Sequence, residues 1–287
     1  MKSNSAKAEV AKRDRSFFMA VPAALWQFLF LYIPLLFIVG LSFLKSLDGS
    51  IFKNFTLHNY RELFDLPFLK IILRSFALAF FNAFFCFLIS YPVAYFLALR
   101  VKRMKNLLLF FLALPFWTNF IVQVYAWFFI LDRHGLLNNA LLKIGIVSRP
   151  LHILNTSAAI YIVMLFCYLP FMVMPIFTSL SKMDKFLLEA SSDLGATPWQ
   201  TFYSITFPMS MAGVKTGFFL VFIPSFGEFV IPSLLGGGKF MFVGSMISYF
   251  FLETKNVFLG SAFTLFSVLF LVCAALGIYW IFKKLFN

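Results

Sequence analysis

Six stretches, at about 17 to 44, 71 to 99, 106 to 131, 157 to 180, 212 to 235 and 257 to 282, are each apolar for longer than the ~20 residues a bilayer core demands. Lipid offers a backbone no hydrogen-bond partners. Each stretch must satisfy its own N–H and C=O groups, which a helix does and a lone strand does not. The expected fold is therefore an all-α membrane protein with six transmembrane helices. Only 12% of residues are charged and 62% are hydrophobic, against a charged share of roughly 25% in soluble domains.

Basic residues orient the spans. With the N terminus inside, the connecting segments left in the cytoplasm are the denser in Lys and Arg. Arg100, Lys102, Arg103 and Lys105 mark the short link between spans two and three, with no acid among them. The positive-inside rule then puts both termini in the cytoplasm. The chain divides into a cytoplasmic tail (1–16), a first span (17–44), an external loop (45–70), a core of five further helices (71–282) containing a cytoplasmic loop at 181–211, and a short cytoplasmic tail (283–287). Lys2, Lys7, Lys12, Arg13 and Arg15 precede span one as in a secretory leader, but that span is too long for one and no small-x-small site follows. It is expected to stay attached.

The net charge of +13 falls in short blocks beside spans rather than along one solvated face, which argues against nucleic-acid binding. Cys86, Cys167 and Cys273 lie in apolar spans without close partners and read as buried thiols. His58, His134 and His152 lack ligand spacing, so no metal site is expected. Pro22, Pro34, Pro92, Pro115, Pro170, Pro175, Pro224 and Pro232 sit in or near spans, and the missing donor and ring clash of proline predict kinked or broken helices. Gly213-x-x-x-Gly217 permits close approach of span five to a neighbour. External residues 135–146 have helical apolar spacing, and 240–252 form an apolar run too short to span and suited to re-entry.

The most informative polar stretch follows span four. Asp184 is placed to cap a helix running to Leu194, and Gly195 to end it in the left-handed conformation. Thr197 then caps a second helix with Pro198 at its first position and Gln200 closing a capping box. Two short helices at an angle make a protruding elbow. Glu189-Ala190-Ser191, then Gly195, then Ile205-Thr206-Phe207-Pro208 resembles the EAA loop (E-A-A-x-x-x-G-x9-I-x-L-P) of permease subunits in binding-protein-dependent ABC importers. Ser191 stands for the third small residue of that pattern and Phe207 for its leucine.

The resemblance covers most of the chain. Leu114-Pro115-Phe116-Trp117-Thr118-Asn119, Ser90-Tyr91-Pro92, Leu169-Pro170-Phe171 and Phe226-Gly227-Glu228-Phe229-Val230-Ile231-Pro232 are similar to the spermidine/putrescine permease family. It implies the type I (MetI-like) permease fold in a bacterial inner membrane, and alternating access driven by a separate ATPase. Glu189, Ala190, Ser191, Gly195, Ile205 and Pro208 would then form the ATPase-coupling loop. The implied partners are a second permease subunit, two cytoplasmic ATPase subunits and an external substrate-binding protein. No cofactor is expected in this chain, with ATP and Mg held by the ATPase. In agreement, no GxxxxGK[ST] is present, and Gly236-Gly237-Gly238-Lys239 lacks both its spacing and its hydroxyl. No nucleophile and base pairing is visible, so the chain reads as a non-catalytic subunit.

Glu228 is the one carboxylate inside a span. An acid near a helix centre costs roughly 2.5 to 3.5 kcal/mol on insertion scales, so it should face the bundle or water. Either it contacts a cationic substrate, with Trp117, Tyr125 and Trp127 as aromatic partners, or it pairs with Arg74 or bonds to a neighbouring helix. Asn82, Asn119 and Gln123 either line a polar path or bond between helices. The competing functions are permeases for ferric iron, sulfate, molybdate or thiamine, and an ion-driven secondary transporter, for which paired broken helices in two related halves are not evident.

Overall fold

The computed structural model describes residues 21–44, 55–101 and 103–286. The basic tail 1–16, the opening of span one, residues 45–54 of the external loop and Lys102 lie outside them. In chain order the helices are α1 (Val21–Ser42), α2 (His58–Glu62), α3 (Leu66–Arg100), α4 (Lys105–Ala113), α5 (Phe120–Leu131), α6 (Leu136–Ile144), α7 (Ser157–Ser181), α8 (Lys185–Asp193), α9 (Pro198–Phe226), α10 (Val230–Leu235), α11 (Val243–Ser248) and α12 (Val257–Phe286). Among the described residues, six helical stretches are long and apolar enough to cross a membrane.

Helices α3, α7 and α9 pack against one another and hold most of the core. Their seams carry small residues and short polar bridges, as helix association in lipid requires when apolar burial itself is no driving force. Asn82 on α3 donates to Ser225 Oγ on α9 at 2.8 Å, and Tyr91 and Ser210 pair their hydroxyls at 3.0 Å across the same seam. Asn82 is thus an interhelical bond. The glycines of span five serve close approach: a Cβ on Gly213 would lie 2.5 Å from Pro175 O and 2.8 Å from Ser179 Cβ, and one on Gly217 2.8 Å from Met172 Sδ. Gly213→Ala is expected to push α9 off the α7 backbone at a cost of about 1 to 3 kcal/mol. Its melting temperature in detergent should fall by several degrees, while Gly277→Ala, whose Cβ meets nothing within 4 Å, leaves it unchanged.

Two expected spans are not continuous. The third is split into α4, a 3-10 turn at Leu114–Trp117 and α5. Pro115 lies in that turn, and Asn119 restarts the helix by accepting from the Ile121 and Val122 amides at 2.9 and 3.4 Å. Asn119 is a cap, neither path lining nor interhelical bond. The fifth begins earlier than residue 212, at Pro198, and stops at Phe226, resuming as α10 only at Val230. A π turn at Phe202–Thr206 directly precedes Pro208, where the helix lacks a donor. Residues 136–144 are helical, as their spacing suggests, and the 240–252 run contains α11, with Val243, Gly244 and Phe250 buried against the bundle. Cys86 and Cys167 are buried, but Cys273 is exposed on α12, because an apolar residue in a lipid-facing helix need not face the core. Helix α1 packs on α12, outside the core trio.

Candidate functional site

Two features stand apart from the packed core. The first is the elbow. Asp184 Oδ1 accepts from the Phe186 amide at 3.0 Å and caps α8. Gly195 ends it at φ +80°, with Ala196 N–H donating to Ser191 O at 3.0 Å and Gly195 N–H to Ser192 O at 2.9 Å. This pair of bonds is a Schellman closure, which satisfies carbonyls the helix leaves open. The second arm opens with the full capping box: Gln200 N–H donates to Thr197 Oγ1 at 3.3 Å and Thr197 N–H to Gln200 Oε1 at 2.8 Å.

Ser191 is 6% exposed in an otherwise open segment. Its hydroxyl donates to Leu188 O at 2.9 Å and meets Thr201 Oγ1 at 2.9 Å, tying α8 to the first turn of α9. Ser191→Ala removes this tie at about 0.5 to 1.5 kcal/mol, so amides of the elbow should exchange with deuterium severalfold faster while those of α7 do not change. Glu189, Ala190, Gly195 and Pro208 are exposed and Ile205 is half-buried. Around them stand Phe186, Leu194, Trp199 and Tyr203, with Leu194 88% and Trp199 68% exposed. Bulky apolar side chains left exposed on a polar protrusion are the kind of surface that meets another protein or the membrane. Hydropathy could not have found them, since it does not say which face of a short helix is covered. Lys105 anchors the base, donating to Ser181 Oγ at 3.3 Å and lying 4.6 Å over the Phe177 ring.

The second feature is a cleft of about 660 Å³ beside the two helix breaks. Glu228, 8% exposed, occupies the break between α9 and α10, not a helix face. Its Oε2 accepts from Tyr168 OH at 2.7 Å, and its Oε1 from the Val230 and Ile231 amides at 3.0 and 3.4 Å. The carboxylate therefore bonds to a neighbouring helix and caps α10, one of the expected alternatives. The other alternative fails: no ion pair joins Glu228 to Arg74 among the described residues. Every donor to Glu228 is neutral, and no cation of the described chain compensates it. The cleft walls are Phe116, Phe120, Phe171, Phe219 and Tyr168, with Gln123 and Thr118 as polar members. Phe116 and Phe171 meet edge to face at 4.6 Å, joining the broken third span to α7.

The three aromatics expected from the third span do not line this cleft. Trp117 is 75% exposed and packs edge to face with Phe110, Tyr125 is exposed, and Trp127 packs edge to face with Phe166 at 5.0 Å. The 3-10 turn at Pro115 rotates the chain so that Phe116 faces Glu228 and its neighbour Trp117 does not.

Comparison with known proteins gives this geometry its context. Residues 90–287 match the model of the binding-protein-dependent transport system inner membrane component family. The chain belongs to this family. As a member, this permease is a non-catalytic subunit of an ABC importer. Among curated relatives it is 39% identical over 263 residues to the spermidine/putrescine transport system permease protein PotB of Salmonella typhimurium, covering 91% of each chain. It is 38% identical over 270 residues to PotB of Escherichia coli, covering 94% of this chain and 98% of the other. Its fold matches a chain of the crystal structure of a bacterial ABC transporter for the acidic polysaccharide alginate, with TM-score 0.76 and 16% identity over 97% of this permease and 99% of that chain.

Proposed function

We propose that this permease imports a polyamine of the spermidine/putrescine class, with both termini cytoplasmic and the elbow docked on a separate ATPase. The observation that carries the substrate reading is Glu228: a buried carboxylate without a cationic partner among the described residues, in a cleft walled largely by aromatic rings. A polyamine alternates ammonium groups with methylenes, and such a wall suits both, the ring faces attracting the cations and excluding water from the chain. The identity to PotB proteins supports the same reading. Trp117 and Tyr125, exposed and near lining residues in sequence, are further candidate contacts. The remaining partners are two ATPase subunits that hold ATP and Mg, and an external binding protein that delivers substrate.

Helix α9 supplies the mechanical link. It runs unbroken for 29 residues from Pro198 in the elbow to Phe226 beside Glu228, about 43 Å at 1.5 Å per residue. Phe219, Leu220, Ile223 and Pro224 on its far end form one wall of the cleft. A movement imposed on Glu189–Pro208 thus reaches the cleft wall through a single rod, with Gly195 and the Ser191–Thr201 contact setting the angle of α8 to it and the π turn before Pro208 and Pro224 as its irregular points. Alternating access follows as ATP-driven closure of the ATPase pair draws the elbows of the two permeases together.

Uptake by vesicles holding the complete complex tests the substrate. Labelled spermidine or putrescine should enter and compete with each other, and ferric iron, sulfate and molybdate should neither enter nor compete. Uptake of iron or an oxyanion in place of a polyamine refutes the reading.

A further inference from the structure

Arg74 was a possible partner for Glu228, and the structure sends it elsewhere. It lines a separate cleft of about 370 Å³ with Lys239, Ser157 and Tyr161, over an apolar floor that includes Ile160 and Phe242. That lining holds no Asp or Glu. Among the described residues the ion pair is His58–Glu62, and neither Arg74, Lys239 nor the Tyr161 hydroxyl has a side-chain hydrogen-bond partner. The convergence is built into the fold. Val243 N–H donates to the buried Ser75 Oγ at 2.8 Å, pinning the chain after Lys239 to the residue next to Arg74. Asn155 N–H donates to Leu235 O at 2.9 Å, pinning the chain before Lys239 to the segment that enters α7.

Two unpaired cations beside two hydroxyls repel a cationic solute and favour an oxyanion. Arg supplies a planar fork of donors and Lys a point charge, a pairing suited to phosphate. The level of the site says which phosphate. Helix α3 has 35 residues, about 52 Å, so it exceeds a ~30 Å hydrocarbon core by roughly 11 Å at each end when centred. Arg74 lies eight residues after Leu66, about 12 Å along the helix and so at the edge of the core. From there the exposed side of α3 continues through Phe81 and Phe85, two and three turns further along, toward the membrane interior. A ligand held here has an anionic head on Arg74 and Lys239 and apolar surface beside its stem.

We propose that the Arg74–Lys239 cleft, at the external end of α3 in the proposed orientation, binds the phosphodiester headgroup of an anionic phospholipid, by the same chemistry as the basic pockets between helices on the cytoplasmic side of membranes. The test uses the complete purified complex in mild detergent, titrated with phosphatidylglycerol or phosphatidylcholine. Bound lipid is counted by mass spectrometry, and the melting temperature is followed in parallel. Phosphatidylglycerol should be retained and raise the melting temperature. The double variant R74Q/K239Q should retain at least fivefold less, and K239Q alone, in an exposed loop position, should show part of the loss. Phosphatidylcholine should behave alike in all forms, and millimolar inorganic phosphate should not displace the lipid. Undiminished phosphatidylglycerol retention in the double variant overturns the proposal. So does displacement by inorganic phosphate, which assigns a soluble anion. So also does intact lipid retention with weakened capture of the external binding protein, which assigns an acidic protein face.

Discussion

Glu228→Gln is expected to lower polyamine uptake by thirtyfold or more with expression and assembly preserved. The amide keeps the size of the carboxylate, and its oxygen still accepts from the Val230 and Ile231 amides that now bond to Oε1. Tyr168 OH can turn from donor to acceptor toward the new NH2 group, so the cap on α10 and the bond to α7 survive in altered form. What is lost is negative charge in a cleft whose other lining residues are uncharged. Removing one member of a desolvated charge pair costs about 2 to 5 kcal/mol, and the lower bound corresponds to roughly thirtyfold. Glu228→Asp keeps the charge while withdrawing it by one methylene and should fall between wild type and the amide. Tyr168→Phe removes one neutral donor and should cost only a few-fold. Normal initial rates of spermidine uptake in Glu228→Gln would remove the cation path altogether.

Gly195→Val is expected to disconnect the elbow without unfolding the bundle. Gly195 stands at φ +80°, a region that β-branched residues scarcely enter, and left-handed backbone costs an L-residue about 1 to 2 kcal/mol. No atom lies within 4 Å of a Cβ built there, so the effect is conformational and not a clash. The Schellman bonds from Gly195 and Ala196 would open, and α8 would lose its fixed angle to α9. ATPase copurification and substrate-stimulated hydrolysis should fall about tenfold or more, while the melting temperature of the α3–α7–α9 core stays within a degree or two. Gly195→Asn is the control, since asparagine tolerates the left-handed region, and should retain most coupling. If valine assembles and couples as well as glycine, the elbow is not the site of force transfer.

How much of this was legible in sequence divides by the range of the interaction. The elbow was readable almost atom by atom because its determinants are local: Asp184 and Thr197 act two or three residues away, and Gly195 acts on its own φ. The number of spans was readable from length, but not all their bounds: the third candidate is Phe120–Ile144 against an expected 106–131, and the fifth Pro198–Phe226 against 212–235. Their interruptions were readable only in part. Pro115 with Asn119 carries the grammar of a stop and a new cap, and so does Pro224 with Gly227 and Glu228, but an unbroken apolar run masks both. The cleft lining was least accessible. In a helix that is apolar all round, nothing local distinguishes the face that meets a neighbour from the face that meets lipid. Trp117 was therefore the expected contact, whereas its neighbour Phe116, which nothing local singles out, is the residue that lines the cleft. Tyr168, which holds Glu228 from a helix 60 residues away, had no sequence signal at all.

Coupled polyamine import is tested most directly in proteoliposomes that contain this permease with its second permease subunit and binding protein, loaded with or without the ATPase and ATP. Labelled spermidine or putrescine should accumulate only when ATPase, ATP and an intact elbow are all present, and an imposed ion gradient should not substitute for them. Accumulation driven by an ion gradient without the ATPase would contradict the coupling of Glu189–Pro208 to a partner and return this chain to the class of secondary transporters.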